Sequence, residues 1–155
     1  MPEMQAHFLH SKYWNGFLPV DPAVIARKAG VTVEYDPALG DACGRFEIVE
    51  GHPKIYINPN ETKICQRFVV AHELGHFVLK HGKRFVDTHR QLKYVQFKFR
   101  EQQANDFALE LLIPHFAVDI LIEKRNITSY IKLAESFGVG TMAMRTKLKK
   151  MGWAP

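Results

Sequence analysis

The period of the apolar positions changes several times along the chain, and each change marks an element. Val20-Asp21-Pro22-Ala23 predicts a helix start: Asp21 can accept from the first free amides, and Pro22 suits a turn whose N–H has no partner anyway. The helical run AVIARKA should stop at Gly30, a natural C′ residue. Strand-like stretches follow at Val31–Tyr35, Gly44–Val49 and Lys54–Asn58, separated by Pro37 and Gly40 and then by Gly51 and Pro53. The tight Glu50–Pro53 connection predicts an antiparallel hairpin for the second and third. Pro59-Asn60 ends the sheet, with Asn60 as the expected cap of a long helix that runs to about Lys80 and is closed by Gly82. Residues 83–96 are basic and aromatic without a clear period, which predicts a loop. The helical period returns from about Phe97 to Leu112 and is stopped by Pro114. Shorter helices are predicted at Phe116–Lys124, Ser129–Phe137 and Thr141–Met151, the last two parted by Gly138 and Gly140. The order is one helix, a small antiparallel or mixed three-stranded sheet, then helices: an α+β layout in one domain over 1–155, with 127–153 as a helix-turn-helix-like pair.

Composition narrows this picture. With 155 residues, 46% hydrophobic and eleven Phe, the chain has enough apolar surface for a core, which excludes wholesale disorder. No apolar run approaches the roughly 18–20 residues that span a bilayer, so a membrane is not an expected partner. The opening MPEMQAHFLHSKYW has no apolar h-region, and the two cysteines, Cys43 and Cys65, form no CxxC pair; a reducing cytoplasmic location is expected. The net charge of +5 is unevenly spread: from Lys124 onward there are seven Lys/Arg against one acid, Glu135, and before it fourteen against fifteen. A basic end raises nucleic acid or an acidic partner, but a solvated helix face explains the charge more simply.

The candidate chemistry lies in the long helix, at His72-Glu73-Leu74-Gly75-His76. The i, i+4 spacing puts both imidazoles on one face, where they can grip one Zn²⁺, while Glu73 beside them can take a proton from an attacking water. The flanks Phe68-Val69-Val70-Ala71 and Phe77-Val78-Leu79 predict a buried helix, in which bare histidines need partners. A catalytic zinc takes three protein ligands and keeps one open position. The positions of a metzincin extension hold Leu79 and Gly82, so the third ligand must come from elsewhere. The next predicted helix offers Glu101, Asp106 and Glu110. Glu101 lies one turn before the stripe Ala104, Phe107, Ala108, Leu111, Leu112, whereas Asp106 and Glu110 lean toward solvent. Asn105, four residues after Glu101, could orient a ligand.

Arg67-Phe68-Val69-Val70-Ala71-His72-Glu73-Leu74-Gly75-His76, followed by Glu101-Gln102-Gln103-Ala104-Asn105-Asp106-Phe107-Ala108-Leu109-Glu110-Leu111-Leu112-Ile113-Pro114, resembles the ImmA/IrrE family of zinc metallopeptidases. The segment Leu18–Pro22 leading to Gly30-Val31 and the closing Ala134–Val139 and Ala143–Gly152 resemble that family's first and last elements, so the likeness spans about residues 17–153. It implies zinc held by His72, His76 and Glu101, with Glu73 as general base. It also implies a zincin-like helical core and a protein substrate, a helix-turn-helix repressor or antitoxin encoded nearby, whose cleavage derepresses prophage, mobile-element, toxin–antitoxin or stress genes. Family members often carry an acid where this chain has Gln103, and Val-Ser where it has Val139-Gly140.

The remaining candidates are minor. His81, five residues past His76, is expected to rotate off the ligand face, and His89 and His115 lie where loops could bring them near. Tyr56 and Tyr94 are the candidate hydroxyl donors to an oxyanion, and Cys65 reads as core. The C-terminal pair is expected to pack through Met144, Leu148 and Met151 and to present Lys147, Lys149 and Lys150 as a basic docking rim rather than a DNA reader. The rival to a peptidase is a DNA- or protein-binding regulator with a structural or vestigial zinc site. The Glu73 of HExxH favours the peptidase, because a structural site has no use for it.

Overall fold

The computed structural model describes residues 1–88 and 99–153. Helix α1 (Pro2–Tyr13) was not anticipated. Its buried face is Pro2, Ala6, Leu9 and His10, a narrow stripe in which a histidine stands where an aliphatic would signal a helix. The His10 Nε2 meets the Leu111 carbonyl at 2.9 Å, which satisfies the buried ring. Helix α2 (Pro22–Lys28) starts as its sequence requires, with Asp21 accepting from the amides of Ala23 and Val24.

Strands β1 (Thr32–Tyr35), β2 (Ala42–Val49), β3 (His52–Ile57) and β4 (Arg84–Thr88) form a sheet in the order β1-β3-β2-β4. The pair β2/β3 is the expected hairpin; β1 runs parallel to β3, and β4 antiparallel to β2. The sheet therefore has four strands, not the three expected, and the fourth comes from the segment read as a loop. Pairing puts Gly44, Ile57 and Asp87 side by side, and likewise Phe46, Ile55 and Phe85, on the face turned to the core. The opposite face carries Arg45, with its guanidinium 4.3 Å above the Tyr56 ring and 3.5–3.7 Å from Glu47 and Asp36.

The inner face is covered by α3 (Lys63–Val78), which is capped by the Thr62 hydroxyl rather than by Asn60. Asn58 and not the helix holds the preceding turn: its amide donates to the carbonyls of Gly40 and Ala42, and its side-chain oxygen accepts from Asn60 N. The contact between α3 and β2 is close enough that a Cβ on Gly44 would lie 2.2 Å from Val69 Cγ1. Helices α4 (Phe99–Leu112), α5 (His115–Glu123), α6 (Tyr130–Phe137) and α7 (Thr141–Lys150) complete the chain. Among the described residues no helix is long and apolar enough to cross a membrane.

The C-terminal pair is tied to the core by polar contacts that its sequence does not reveal. Lys147 is 6% exposed and its ammonium meets Glu110, itself 3% exposed. Glu110 does not lean toward solvent; it also accepts from His115 N at 3.0 Å and meets the rings of His7 at 2.8 Å and His115 at 3.1 Å. Lys147 is thus no part of a basic rim, which is left to Arg145, Lys149 and Lys150, the last paired with Asp106. From α3, Arg67 donates to the carbonyls of Phe137 and Gly138 at the turn between α6 and α7.

Candidate metal centre

Helix α3 crosses α4 with Gly75 at the contact. A Cβ there would sit 3.0 Å from the Phe107 ring and 3.2 Å from the Ala104 backbone, so only glycine opposite alanine lets the helices come this near. That approach carries His72 and His76 to Glu101. The Nε2 of His72 is 2.8 Å from Glu101 Oε2, and the Nε2 of His76 is 3.1 Å from Oε1. Gly75→Ala should force the helices apart, cost about 1–3 kcal/mol as overpacking does, and weaken metal binding in the same variant. Thermal melts with and without chelator measure both effects.

The other ring nitrogens are already engaged. His72 Nδ1 is 2.8 Å from Asn105 Oδ1, which fixes that ring's proton on Nδ1. His76 Nδ1 is 2.9 Å from His81 Nδ1, and His81 Nε2 is 2.8 Å from Gln103 Oε1. A consistent proton order is His76 Nδ1–H donating to His81 and His81 Nε2–H donating to the Gln103 oxygen. His81 is a buried structural residue: it is 7% exposed and orients His76. It lies off the ligand face, as the spacing predicts, and reaches the back of His76 because α3 ends at Val78 and Lys80, at φ 57°, turns the chain back. Both Nε2 atoms are turned inward toward Glu101.

From the sheet, Asp87 enters the same space. It is 1% exposed, and its Oδ2 lies 3.6 Å from His72 Nε2 and 3.9 Å from His76 Nε2. Phe85, two residues earlier on β4, stacks on the His76 ring at 3.8 Å. Asp87 was missed in the sequence. The signal that could have found it is the alternation in Arg84-Phe85-Val86-Asp87, with its second inward position acidic. Glu73, with no exposure, stands beside it.

The electrostatics follow from burial and crowding. Burial, then the neighbouring Asp87 carboxyl, pushes Glu73 well above the usual carboxylate range. Burial also opposes ionisation of Asp87 and Glu101, but contacts with Glu73 and His72 hold Asp87 below its ordinary value, and contacts with both histidines do the same for Glu101. His72, though buried, is pushed up to about 9 by Asp87 and Glu101, whereas burial keeps His76 low.

These groups fit a cation. His76 Nε2 and both oxygens of Glu73 and of Asp87 are buried without a hydrogen-bond partner, a concentration of unsatisfied atoms that folded proteins avoid unless a ligand meets them. One donor atom from each of His72, Glu73, His76 and Asp87 lies within 4.8 Å of the others. Two imidazole nitrogens with carboxylate oxygens are a donor set that suits Zn²⁺.

Other candidates fall elsewhere. Tyr56 is on the outer sheet face under Arg45, so it is not brought to the histidines and cannot serve as an oxyanion donor there. Tyr94 and His89 lie outside the described residues. His115 and Glu110 form the separate cluster beside Lys147, and Asp106 pairs with Lys150. Cys65 is half-buried near Cys43 and Glu61.

A family model described as Peptidase_M78, IrrE N-terminal-like domain, matches residues 26–149. No curated protein matches the sequence. Among solved structures, a Mycobacterium tuberculosis transcriptional regulator superposes with a TM-score of 0.64 at 17% identity, over 95% of this chain and 46% of its own. The chain thus spans about half the length of that regulator, and the likeness is one of fold.

Proposed function

We infer a metal-dependent peptide hydrolase from one premise: the chain belongs to the peptidase M78 family of IrrE N-terminal-like domains. The observation that carries the reading to individual residues is the convergence of His72, His76 and Glu101, with Glu73 buried beside them and held by no donor. His72, His76 and Glu101 hold the metal, and Asn105 and His81 aim the two rings. Zinc bound there would supply Lewis-acid chemistry to the scissile carbonyl and the attacking water. Glu73 accepts a proton from that water and delivers it to the leaving amine nitrogen; its raised proton affinity suits a group that must hold the proton between the two steps. Edge strand β4, paired on one side by β2 among the described residues, runs past the histidines and can take an extended polypeptide alongside it.

The substrate is a protein. The resemblance to ImmA/IrrE peptidases points to a helix-turn-helix repressor or antitoxin encoded nearby, with Arg145 and Lys149 as the exposed basic rim that meets it. Protein purified without chelator should carry about one zinc per chain and cleave the repressor of its own operon. His72→Ala, His76→Ala and Glu101→Ala should each weaken zinc by more than the roughly 10–100-fold typical of an outer partner such as Asn105. Zinc measured at full occupancy in Glu101→Ala would remove that residue from the ligand set.

A further inference from the structure

Asp87 is not needed by the three-ligand reading, yet the sheet delivers it to the centre. The β2/β4 register sets it opposite Gly44, at the point where the pairing shifts between Ala42 and Gly44, and the absent Gly44 side chain lets Val69 of α3 pack directly on the sheet there. Neither of its oxygens makes a hydrogen bond of normal geometry, its polar contacts being the Glu73 carboxyl and His72, and the side chain is 1% exposed. An acid buried in this way is normally paired with a cation or bound to one.

The distances say what it is placed to do. Four donors held about 2.0–2.1 Å from one tetrahedral zinc lie about 3.3–3.4 Å from each other. Asp87 Oδ2 stands 3.6 and 3.9 Å from the Nε2 atoms of His72 and His76, within a few tenths of an ångström of that spacing. Glu101 approaches the same two nitrogens at 2.8 and 3.1 Å. Each nitrogen therefore faces two carboxylates from different elements, Glu101 on α4 and Asp87 on β4. Two carboxylates also balance a divalent charge, which makes a site with so little exposure electrically neutral. Glu73 also brings an oxygen within 4.8 Å of these donor atoms and, in the reading above, is the proton carrier.

We propose that Asp87 is a fourth protein ligand, which closes the metal centre in the resting chain and has to be displaced before water and a peptide carbonyl can enter. This rests on the reading of His72, His76 and Glu101 as ligands. It makes the position of β4 a determinant of activity: a peptide that pairs with this edge strand and shifts it opens the site it is about to enter. The chain is then latent by coordination rather than by a covering segment.

Cobalt-substituted protein tests it without reference to turnover. In the wild type, acetohydroxamate should perturb the visible Co²⁺ spectrum only at high concentration, because the fourth position is taken. Asp87→Ala should bind acetohydroxamate at least about tenfold more tightly and Co²⁺ at least about tenfold more weakly, the scale on which even an outer partner alters a metal site. Asp87→Asn keeps the shape, and should show the same two changes if the alanine variant folds poorly. Unchanged cobalt affinity and hydroxamate response in a folded Asp87 variant, with cobalt lost in His72→Ala, overturns the fourth ligand and leaves the three-ligand site standing. Full cobalt affinity in His72→Ala overturns the underlying site.

Discussion

Glu73→Gln should lower the rate of repressor cleavage by at least about a hundredfold while leaving zinc content unchanged, since general-base groups contribute at least about that factor. The substitution keeps the length of the side chain and removes its ability to accept a proton, and Glu73 makes no contact that holds the fold. Its effect on stability has the opposite sign. A carboxyl whose folded proton affinity is raised makes the folded state progressively less stable as pH climbs above the ordinary carboxylate value. The chelator-treated Gln variant should therefore melt at a higher temperature than chelator-treated wild type at neutral pH, with the difference vanishing toward pH 4. The amide can also donate to Asp87, whose oxygens make no hydrogen bond of normal geometry. A variant that cleaves normally with zinc in place would return the protein to the class of binding regulators.

Lys147→Ala should destabilise the fold by about 3–5 kcal/mol, because it strips the ammonium from a carboxylate that remains buried. For a chain of this size that is a fall in melting temperature of about 10 °C or more. The pair also carries an acid limit. Burial works against ionisation of Glu110, but Lys147, the His115 amide and His7 hold it down to about 2. A depressed carboxylate contributes stability above its unfolded value and loses it as pH falls through the folded one, so the Glu110 contribution of about 3 kcal/mol should disappear between about pH 4.5 and 2. Glu110→Gln together with Lys147→Met should recover most of the loss, since it removes both charges and keeps an oxygen for the His115 amide. Melts of the single and double variants across this pH range measure both. A single variant within about 1 kcal/mol of wild type would show that His7 and His115 suffice.

The helices that carry His72, His76 and Glu101 were legible because their apolar stripes are long and their motifs sit on single faces. Spacing paired His72 with His76, and Glu101, which the family resemblance added to them, lies within 2.8 and 3.1 Å of their ring nitrogens. The antiparallel hairpin, the cap at Asp21 and the break at Gly138 were equally plain, because turn and cap chemistry is local. What was illegible depends on contacts across the chain. Strand β4 is short, and its inward pair is Phe85 and the acid Asp87, so a single apolar residue was left to mark its buried face. His81 needed the reversal at Lys80, a positive-φ residue that no glycine advertised. Glu110 sits on a flank of α4 that looks polar by period, but that flank is roofed by α1 and by Lys147. Tyr56 failed as a donor for a simpler reason: strand parity puts it on the wrong face.

The bonds from Arg67 to the Phe137 and Gly138 carbonyls, and from Lys147 to Glu110, make the last two helices part of a unit that is not contiguous in sequence. A helix-turn-helix reader that binds DNA by itself can be transplanted whole, because its recognition surface and its supports travel together. Here the supports stay behind, one on the helix that bears His72 and one on the helix that bears Glu101. An exchange of this pair between relatives has to bring residues 67 and 110 with it or leave a buried charge on each side of the seam. Recombination that respects the fold is thus confined to joints outside this span, and drift in the closing helices is tethered to drift in the peptidase core.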